Sequence, residues 1–257
     1  MINFLRKLLS PATISSTSAG LSDVGKVRQN NEDCFAILKE KEICIVADGM
    51  GGHNAGEVAS RTTIEIIRHH FSRNILSSMH RDPQETKHAM VSCFEKANTT
   101  IMDLAAEDPD LHGMGCTLVM TFIDGSILHI CHVGDARCYV VSGGAIKQIT
   151  TDHTALVEMK NEHPETADIA DQLHTRHVVT RVIGYSFPEP PEYNAVDLQE
   201  GDRILLCSDG LWSLVDDHLL YKTIIEADSP EKAANELVAL ANTAGGNDNI
   251  TALLTFC

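Results

Sequence analysis

Ile43-Cys44-Ile45-Val46-Ala47-Asp48-Gly49-Met50-Gly51-Gly52-His53 is the stretch whose reading decides the fold. Its opening run, 43–46, is apolar and largely β-branched, as in a buried strand. The run stops at Asp48-Gly49, and Gly51-Gly52 free the backbone for positive φ or for close approach to a ligand. A carboxylate at the mouth of a buried strand is costly unless it is paired or binds a metal. The pattern repeats downstream, where the apolar run 203–207 ends in Ser208-Asp209-Gly210. Two strands that end in Asp-Gly imply two carboxylates converging on one site, and oxygen donors of this kind suit Mg²⁺ or Mn²⁺ rather than Zn²⁺. Asn31-Glu32-Asp33, before the run 34–38, and Gly245-Gly246-Asn247-Asp248-Asn249, before the final run 250–256, complete the set. One Asp-Gly alone reads as a plain turn. Four acidic turns, each abutting an apolar strand, do not.

The bulk properties bound the rest. A chain of 257 residues fits one domain, and a hydrophobic fraction of 43% supports a real core. The net charge of −16 argues against a nucleic-acid partner, because phosphate backbones require clustered Lys and Arg. It leaves phosphorylated substrates open, because bound divalent cations reverse the field at a site. The eight cysteines include no C-x-x-C pair, and most fall inside apolar strands. They read as small buried hydrophobes in a reducing compartment, which points to the cytoplasm. No apolar run is long enough to cross a membrane, and the apolar part of residues 1–9 is too short and broken for a signal-peptide core. Residues 1–18 are therefore set apart as an N-terminal extension, with 19–257 as the domain. The extension reads as a frayed lead-in through a Ser/Thr-rich spacer, or as a weak surface-docking helix.

Taken in order, 14–24 is extended and 56–71 turns helical, with Val58, Ile64, Ile67 and Phe71 on or near one face. Asp82-Pro83 is an N-cap followed by Pro at the first helical position, opening a helix to about residue 106. Its stripe of Met90, Phe94, Ala97, Ile101 and Leu104 faces the core. Asp124-Gly125 joins the strands 117–123 and 127–133 in a hairpin. Asp124 is expected to serve only as a turn residue, whereas Asp135, beside Gly134 at a strand end, is a candidate site carboxylate. The segment 154–180 is polar and aperiodic; its His163, His174 and His177 match no standard metal-ligand spacing. A helical stretch is expected over 211–227, with Trp212 anchoring the core beside the Asp209 turn. Ser229-Pro230 caps a last helix that buries Leu237, Leu240 and Ala241. The resulting fold class is α+β: a central antiparallel β-sandwich flanked by helices on both sides.

The motifs resemble those of the PP2C (PPM) family of metal-dependent protein serine/threonine phosphatases, in its compact bacterial form. The resemblance is carried by Arg28-Gln29-Asn30-Asn31-Glu32-Asp33, Val46-Ala47-Asp48-Gly49-Met50-Gly51-Gly52 and Gly115-Cys116-Thr117. It continues through Val133-Gly134-Asp135-Ala136-Arg137, Thr150-Thr151-Asp152-His153, Cys207-Ser208-Asp209-Gly210-Leu211-Trp212 and Asp248-Asn249-Ile250-Thr251. These motifs stand in the family's order from about Gly20 to the C-terminus. The resemblance implies hydrolysis of phosphoserine and phosphothreonine by attack of a metal-bridging water, with two Mn²⁺ or Mg²⁺ per site and a third, weaker one. It implies that Asp48 bridges both cations, with the Gly49 carbonyl also a ligand. Asp209 and Asp248 would hold one cation, and Asp33, with Glu32 beside it, would serve the other. Asp135 and Asp209 match the pair that holds the third. Arg28 takes the place of the phosphate-binding Arg, and Asn249 orders the Asp248 turn. The segment 154–180 corresponds to the family's surface flap. Two positions depart from the pattern. Met50 stands where eukaryotic members carry a His that protonates the leaving alcohol, and thioether sulfur has no proton to donate; His53 or water would take that part. Cys116 replaces a small hydroxyl residue, with only a packing effect expected.

Three functions remain on the sequence. The first is an active protein phosphatase, a monomer acting on phosphorylated proteins and opposing a cognate Ser/Thr kinase. The second is a non-catalytic, phosphatase-like binding or regulatory module. The third is a metal-dependent phosphomonoesterase for small molecules. The full acidic set favours catalysis, because buried carboxylates are costly to keep without metal.

Overall fold

The computed structural model describes residues 14–52, 55–80, 82–162, 178–186 and 189–257. The chain opens with the strands β1 (Thr17–Asp23), β2 (Asp33–Leu38) and β3 (Ile43–Met50). Three helices follow, α1 (Ala55–His70), α2 (Arg73–Met79) and α3 (Pro83–Glu107). Next come β4 (Gly115–Asp124), β5 (Ile127–Val133), β6 (Arg137–Ser142), β7 (Ala145–Gln148) and the helix α4 (Ala155–Glu162). The last third contains β8 (Glu192–Asp197), β9 (Arg203–Cys207), α5 (Asp209–Trp212), α6 (Asp217–Glu226), α7 (Pro230–Thr243) and β10 (Ile250–Phe256).

The strands form two antiparallel sheets, in the orders β1-β10-β9-β6-β7 and β2-β3-β4-β5-β8. They are stacked face to face, with helices on both outer faces, as the patterning predicts. The central strands read as continuous apolar runs because each is covered on both sides. In β3, Ile43, Ile45 and Ala47 meet α1 and α3, while Cys44 and Val46 point into the space between the sheets. In β9, Leu205 and Cys207 face α6 and α7, while Ile204 and Leu206 face the other sheet. Three apolar layers result, one between the sheets and one under each helical face. Alternation of neighbouring side chains across a pleated strand supplies adjacent layers from the same residues.

The helices obey their end signals. Asp82 accepts from Gln84 N–H with Pro83 at the first position of α3, and Ser229 accepts from Lys232 N–H ahead of Pro230 in α7. All five expected stripe residues of α3 pack inward, four of them fully buried and Leu104 at the edge of the core.

The structure corrects the sequence reading at several places. β3 does not stop before Asp48 but runs through it to Met50, because β4 keeps pairing as far as Gly115. The helical stretch 211–227 is two helices, parted at Asp216, which caps α6 through Leu219 N–H. Thr17 and Ser18, placed in the N-terminal extension, belong to β1 and pair with Phe256 and Thr255. α2, β7 and β8 were not anticipated. Asp124 is more than a turn residue, since its Oδ1 lies 2.7 Å from His80 Nδ1. Of the segment 154–180, α4 and the Thr154–Val179 bridge are described; residues 163–177, with His163, His174 and His177, lie outside the described residues, as does His53.

Candidate metal centre

The register of the sheets brings the acidic turns to one end of the sandwich. Asp33 opens β2 opposite Asp48, and Asp48 lies opposite Thr117 of β4. Asp135 sits in the turn between β5 and β6, Asp209 directly follows β9, and Asp248 precedes β10. Asp48, Asp135, Asp209 and Asp248 line a cleft of about 510 Å³ together with Arg28, Glu32 and the Gly49 backbone. Asp33 lies outside that lining, behind Asp48. All the sequence-predicted site residues are thus gathered at the cleft or immediately beneath it, Asn249 among the buried ones.

Close backbone approaches build the cleft. A Cβ on Gly49 would collide with the carbonyl oxygen of Gly56 and stand 2.6 Å from that of Glu32. Gly49 N–H donates to the Glu32 carbonyl (3.1 Å), so the loop before β2 is sewn to the end of β3. Gly210 meets the Asn249 carbonyl in the same way. Asn249 does more than order its own turn. Its Oδ1 accepts from Glu32 N–H (2.8 Å), and its Nδ2 donates to the carbonyls of Val24 (3.0 Å) and Asn30 (2.9 Å). It therefore fastens the loop carrying Arg28 and Glu32 to the Asp248 turn. The Arg28 guanidinium, half exposed, reaches Asp248 Oδ2 at 2.7 Å.

The carboxylates repel one another in a dry environment. Burial pushes Asp33 up to about 7, with Asp209 and Asp248 adding to the rise and hydrogen bonds from Ser208 and Thr251 opposing it. Asp135 also rises to about 7, through burial and then through Asp209 and Asp152. Asp48 is held well above the ordinary carboxylate range by burial, then by Asp33, Asp209, Asp135 and Asp248. Glu32 is raised by burial, against the pull of Arg28. Two buried carboxylate oxygens, Asp33 Oδ1 and Asp135 Oδ2, have no hydrogen-bond partner among the described residues. A hard-oxygen donor set with orphaned atoms and surplus negative charge fits divalent cations of the Mg²⁺ or Mn²⁺ type.

Sequence reasoning missed the hydroxyls that hold Asp33. Ser208 Oγ (2.6 Å) and Thr251 Oγ1 (2.7 Å) both donate to Asp33 Oδ2, reaching it from the other sheet. Both residues stood in the quoted motifs, yet nothing local announces a bond across 175 or 218 positions. It also missed the support of Asp135. Trp212 Nε1 donates to the Asp135 carbonyl (3.0 Å), and the Arg137 guanidinium lies 3.6 Å over the Trp212 ring while forking onto Asp152.

An antiparallel sandwich with a carboxylate cluster at one end defines the class, and comparison with known proteins gives the family. The family described as protein phosphatase 2C matches residues 24–251, and the chain belongs to it. It is 30% identical over 238 residues to "Serine/threonine phosphatase stp" of Listeria innocua, covering 91% of this chain and 92% of that one. It is 34% identical over 253 residues to "Serine/threonine protein phosphatase PstP" of Mycobacterium tuberculosis, a match that takes in 96% of this chain and 46% of that protein. Among solved structures, the catalytic domain of serine threonine protein phosphatase PstP in complex with two manganese ions superposes with a TM-score of 0.77. Its identity is 32%, with 94% of this chain and 97% of that one covered. No described helix is long and apolar enough to cross a membrane.

Proposed function

We propose that this chain is a Mn²⁺- or Mg²⁺-dependent protein phosphatase that hydrolyses phosphoserine and phosphothreonine by attack of water. The observation that carries the reading is the convergence of Asp33, Asp48, Asp135, Asp209 and Asp248 at one end of the sandwich, with two buried carboxylate oxygens unpartnered. Asp48 with the Gly49 carbonyl would span two cations. Asp209 and Asp248 would hold one of them, and Asp33 with Glu32 beside it would serve the other. Asp135 and Asp209 would take a third, weaker one. Bound there, divalent cations lower the pKa of water to make a nucleophile and neutralise phosphoryl charge.

The chain's own residues do the rest. Arg28 stands at the rim with one nitrogen on Asp248, and its planar guanidinium would fork onto two phosphoryl oxygens. Thr117, buried opposite Asp48 and among the residues lining the cleft, has an Oγ1 with no hydrogen-bond partner among the described residues. Met50 is exposed at the mouth and has no proton to give, so the leaving alcohol would draw its proton from water or from His53, which lies outside the described residues. The same reading includes the catalytic domain expected over 19–257, which the pairing of β1 extends back to Thr17, with 154–180 as its flap, a monomer, a cytoplasmic location and a cognate Ser/Thr kinase whose products it reverses.

The test is turnover of p-nitrophenyl phosphate and of a phosphothreonine peptide in Mn²⁺, Mg²⁺ and EDTA, beside Asp209→Asn. Activity that requires the cation, is lost in the variant and prefers peptide is expected. A folded, cation-loaded protein without turnover would refute catalysis and leave a phosphatase-like binding module.

A further inference from the structure

Outside the acidic cleft, the described residues place His132, His153 and Glu192 together, with one potential donor atom from each within 4.8 Å of the others. Both imidazoles are buried, and His132 Nδ1 and His153 Nε2 have no hydrogen-bond partner among the described residues. A metal site is the first thought, but the hydrogen bonds exclude it. His153 Nδ1 lies 3.1 Å from Gly134 N and must accept its N–H, so in the neutral ring the proton sits on Nε2, the atom a cation would need. The two rings also stack, at 14° and 4.7 Å between centroids, so their in-plane lone pairs do not converge on one point.

The geometry points instead to His153, backed by Glu192, as a positioning residue for Asp135, an inference that rests on the phosphatase reading for the use of Asp135. His153 grips the residue before Asp135 from both sides. Its backbone N–H donates to the Gly134 carbonyl (3.0 Å) while its ring accepts the Gly134 N–H. That turn has little slack. Gly134 adopts φ +100°, and a Cβ there would stand 2.5 Å from Thr117 Cβ, on the residue opposite Asp48. Trp212 holds the Asp135 carbonyl on the far side. The ring can accept from Gly134 only in the Nε2–H tautomer, and the Glu192 carboxylate, 3.5 Å from Nε2, favours that form. His132 completes the wall: its Nε2 lies 2.8 Å from the Thr151 carbonyl, fixing the ring against which His153 stacks. A carboxylate on β8, at the edge of one sheet, thereby sets a turn that carries a ligand of the proposed third cation.

The experiment compares His153→Asn, whose Oδ1 replaces Nδ1 as an acceptor, with His153→Leu, which has none. Two readouts need no turnover: hydrogen exchange of the Gly134 amide in EDTA by NMR, and Mn²⁺ titration followed by the EPR signal of free Mn²⁺. Loss of one buried hydrogen bond predicts about tenfold faster Gly134 exchange and about tenfold weaker binding of the weakest Mn²⁺ in His153→Leu. The tighter Mn²⁺ events should be unchanged, and His153→Asn should stay within about twofold of wild type. If His153→Leu does not fold, Glu192→Leu replaces it, with about threefold effects expected from the lost tautomer bias. Wild-type exchange and Mn²⁺ binding in the acceptor-free variant, or equal damage in both His153 variants, would overturn the proposal. A wild-type protein that shows these Mn²⁺ events but hydrolyses no phosphopeptide would refute the phosphatase reading and leave the positioning role standing.

Discussion

Replacing Asp33 by Asn in the cation-free protein should help it progressively more as the pH rises. Asp33 is buried, its carboxyl is pushed up from 3.8 to about 7, and one oxygen has no partner. An acid whose folded value is raised contributes stability that is complete below the unfolded value and is lost as pH climbs through the folded one. Across that window the loss runs at about 1.4 kcal/mol per pH unit. From pH 5 to pH 8 the folded wild type should therefore lose about 2–3 kcal/mol through Asp33 alone, as an upper limit. Asparagine does not titrate. Its amide can still accept from Ser208 and Thr251, but its NH₂ falls where Oδ1 had no partner, at a cost of about 1–2 kcal/mol that is the same at both pH values. The two proteins should be close in stability at pH 5, with the variant ahead at pH 8. For a chain of this size the change in their difference corresponds to about 5–10 °C in Tm. Thermal unfolding in EDTA at the two pH values measures it directly. Saturating Mn²⁺ should reverse the order, because the cation binds the ionised carboxylate that only the wild type offers. Parallel stability profiles for the two proteins in EDTA would refute the premise that Asp33 is a buried carboxyl held in its acid form.

Three further outcomes follow from the same geometry. Asn249→Ala leaves one donor and two acceptors unmatched, which should cost about 2–4 kcal/mol in urea unfolding and raise the Mn²⁺ concentration needed for half-maximal activity. Gly49→Ala pushes a methyl into the carbonyls of Gly56 and Glu32, so activity should vanish with a loss above about 2 kcal/mol; a stable, active variant would show that the β3 end can relax. Arg28→Lys keeps the charge but loses the planar fork, and KM for a phosphopeptide should rise about tenfold or more while the Mn²⁺ requirement stays near wild type.

How far the sequence could be read depends on the range of each interaction. The acidic turns announced themselves because a carboxylate next to an apolar run is a local conflict, visible within five residues at Asp48 and Asp209. Helix caps at Asp82 and Ser229 are local as well. β7 was missed although Gly143-Gly144 is a hairpin signal; both glycines have positive φ, and the short strand AIKQ returns along β6. β8 was missed for a different reason. Its sequence EYNAVD follows a proline cluster and carries little apolar alternation, and only pairing with β5 makes it a strand. The Ser208 and Thr251 bonds to Asp33, and the contact of His153 with Gly134, join residues far apart in the chain, where spacing says nothing.

The two sheets are interlaced along the chain, because β1, β6, β7, β9 and β10 build one and β2 to β5 with β8 build the other. Asp33 and Asp48 belong to one partner, Asp209 and Asp248 adjoin strands of the other, and Asp135 lies where the chain crosses between them. No contiguous fragment contains one sheet whole without strands of the other, and neither sheet contains the cluster. A proteolytic or split-gene cut at a loop between Asp48 and Asp209 divides the carboxylates and should yield pieces that bind cations weakly if at all, and reassembly of the pieces should restore tight binding all at once. During refolding, cation uptake would then serve as a clock for the final docking of the two halves, later than the appearance of either helical face.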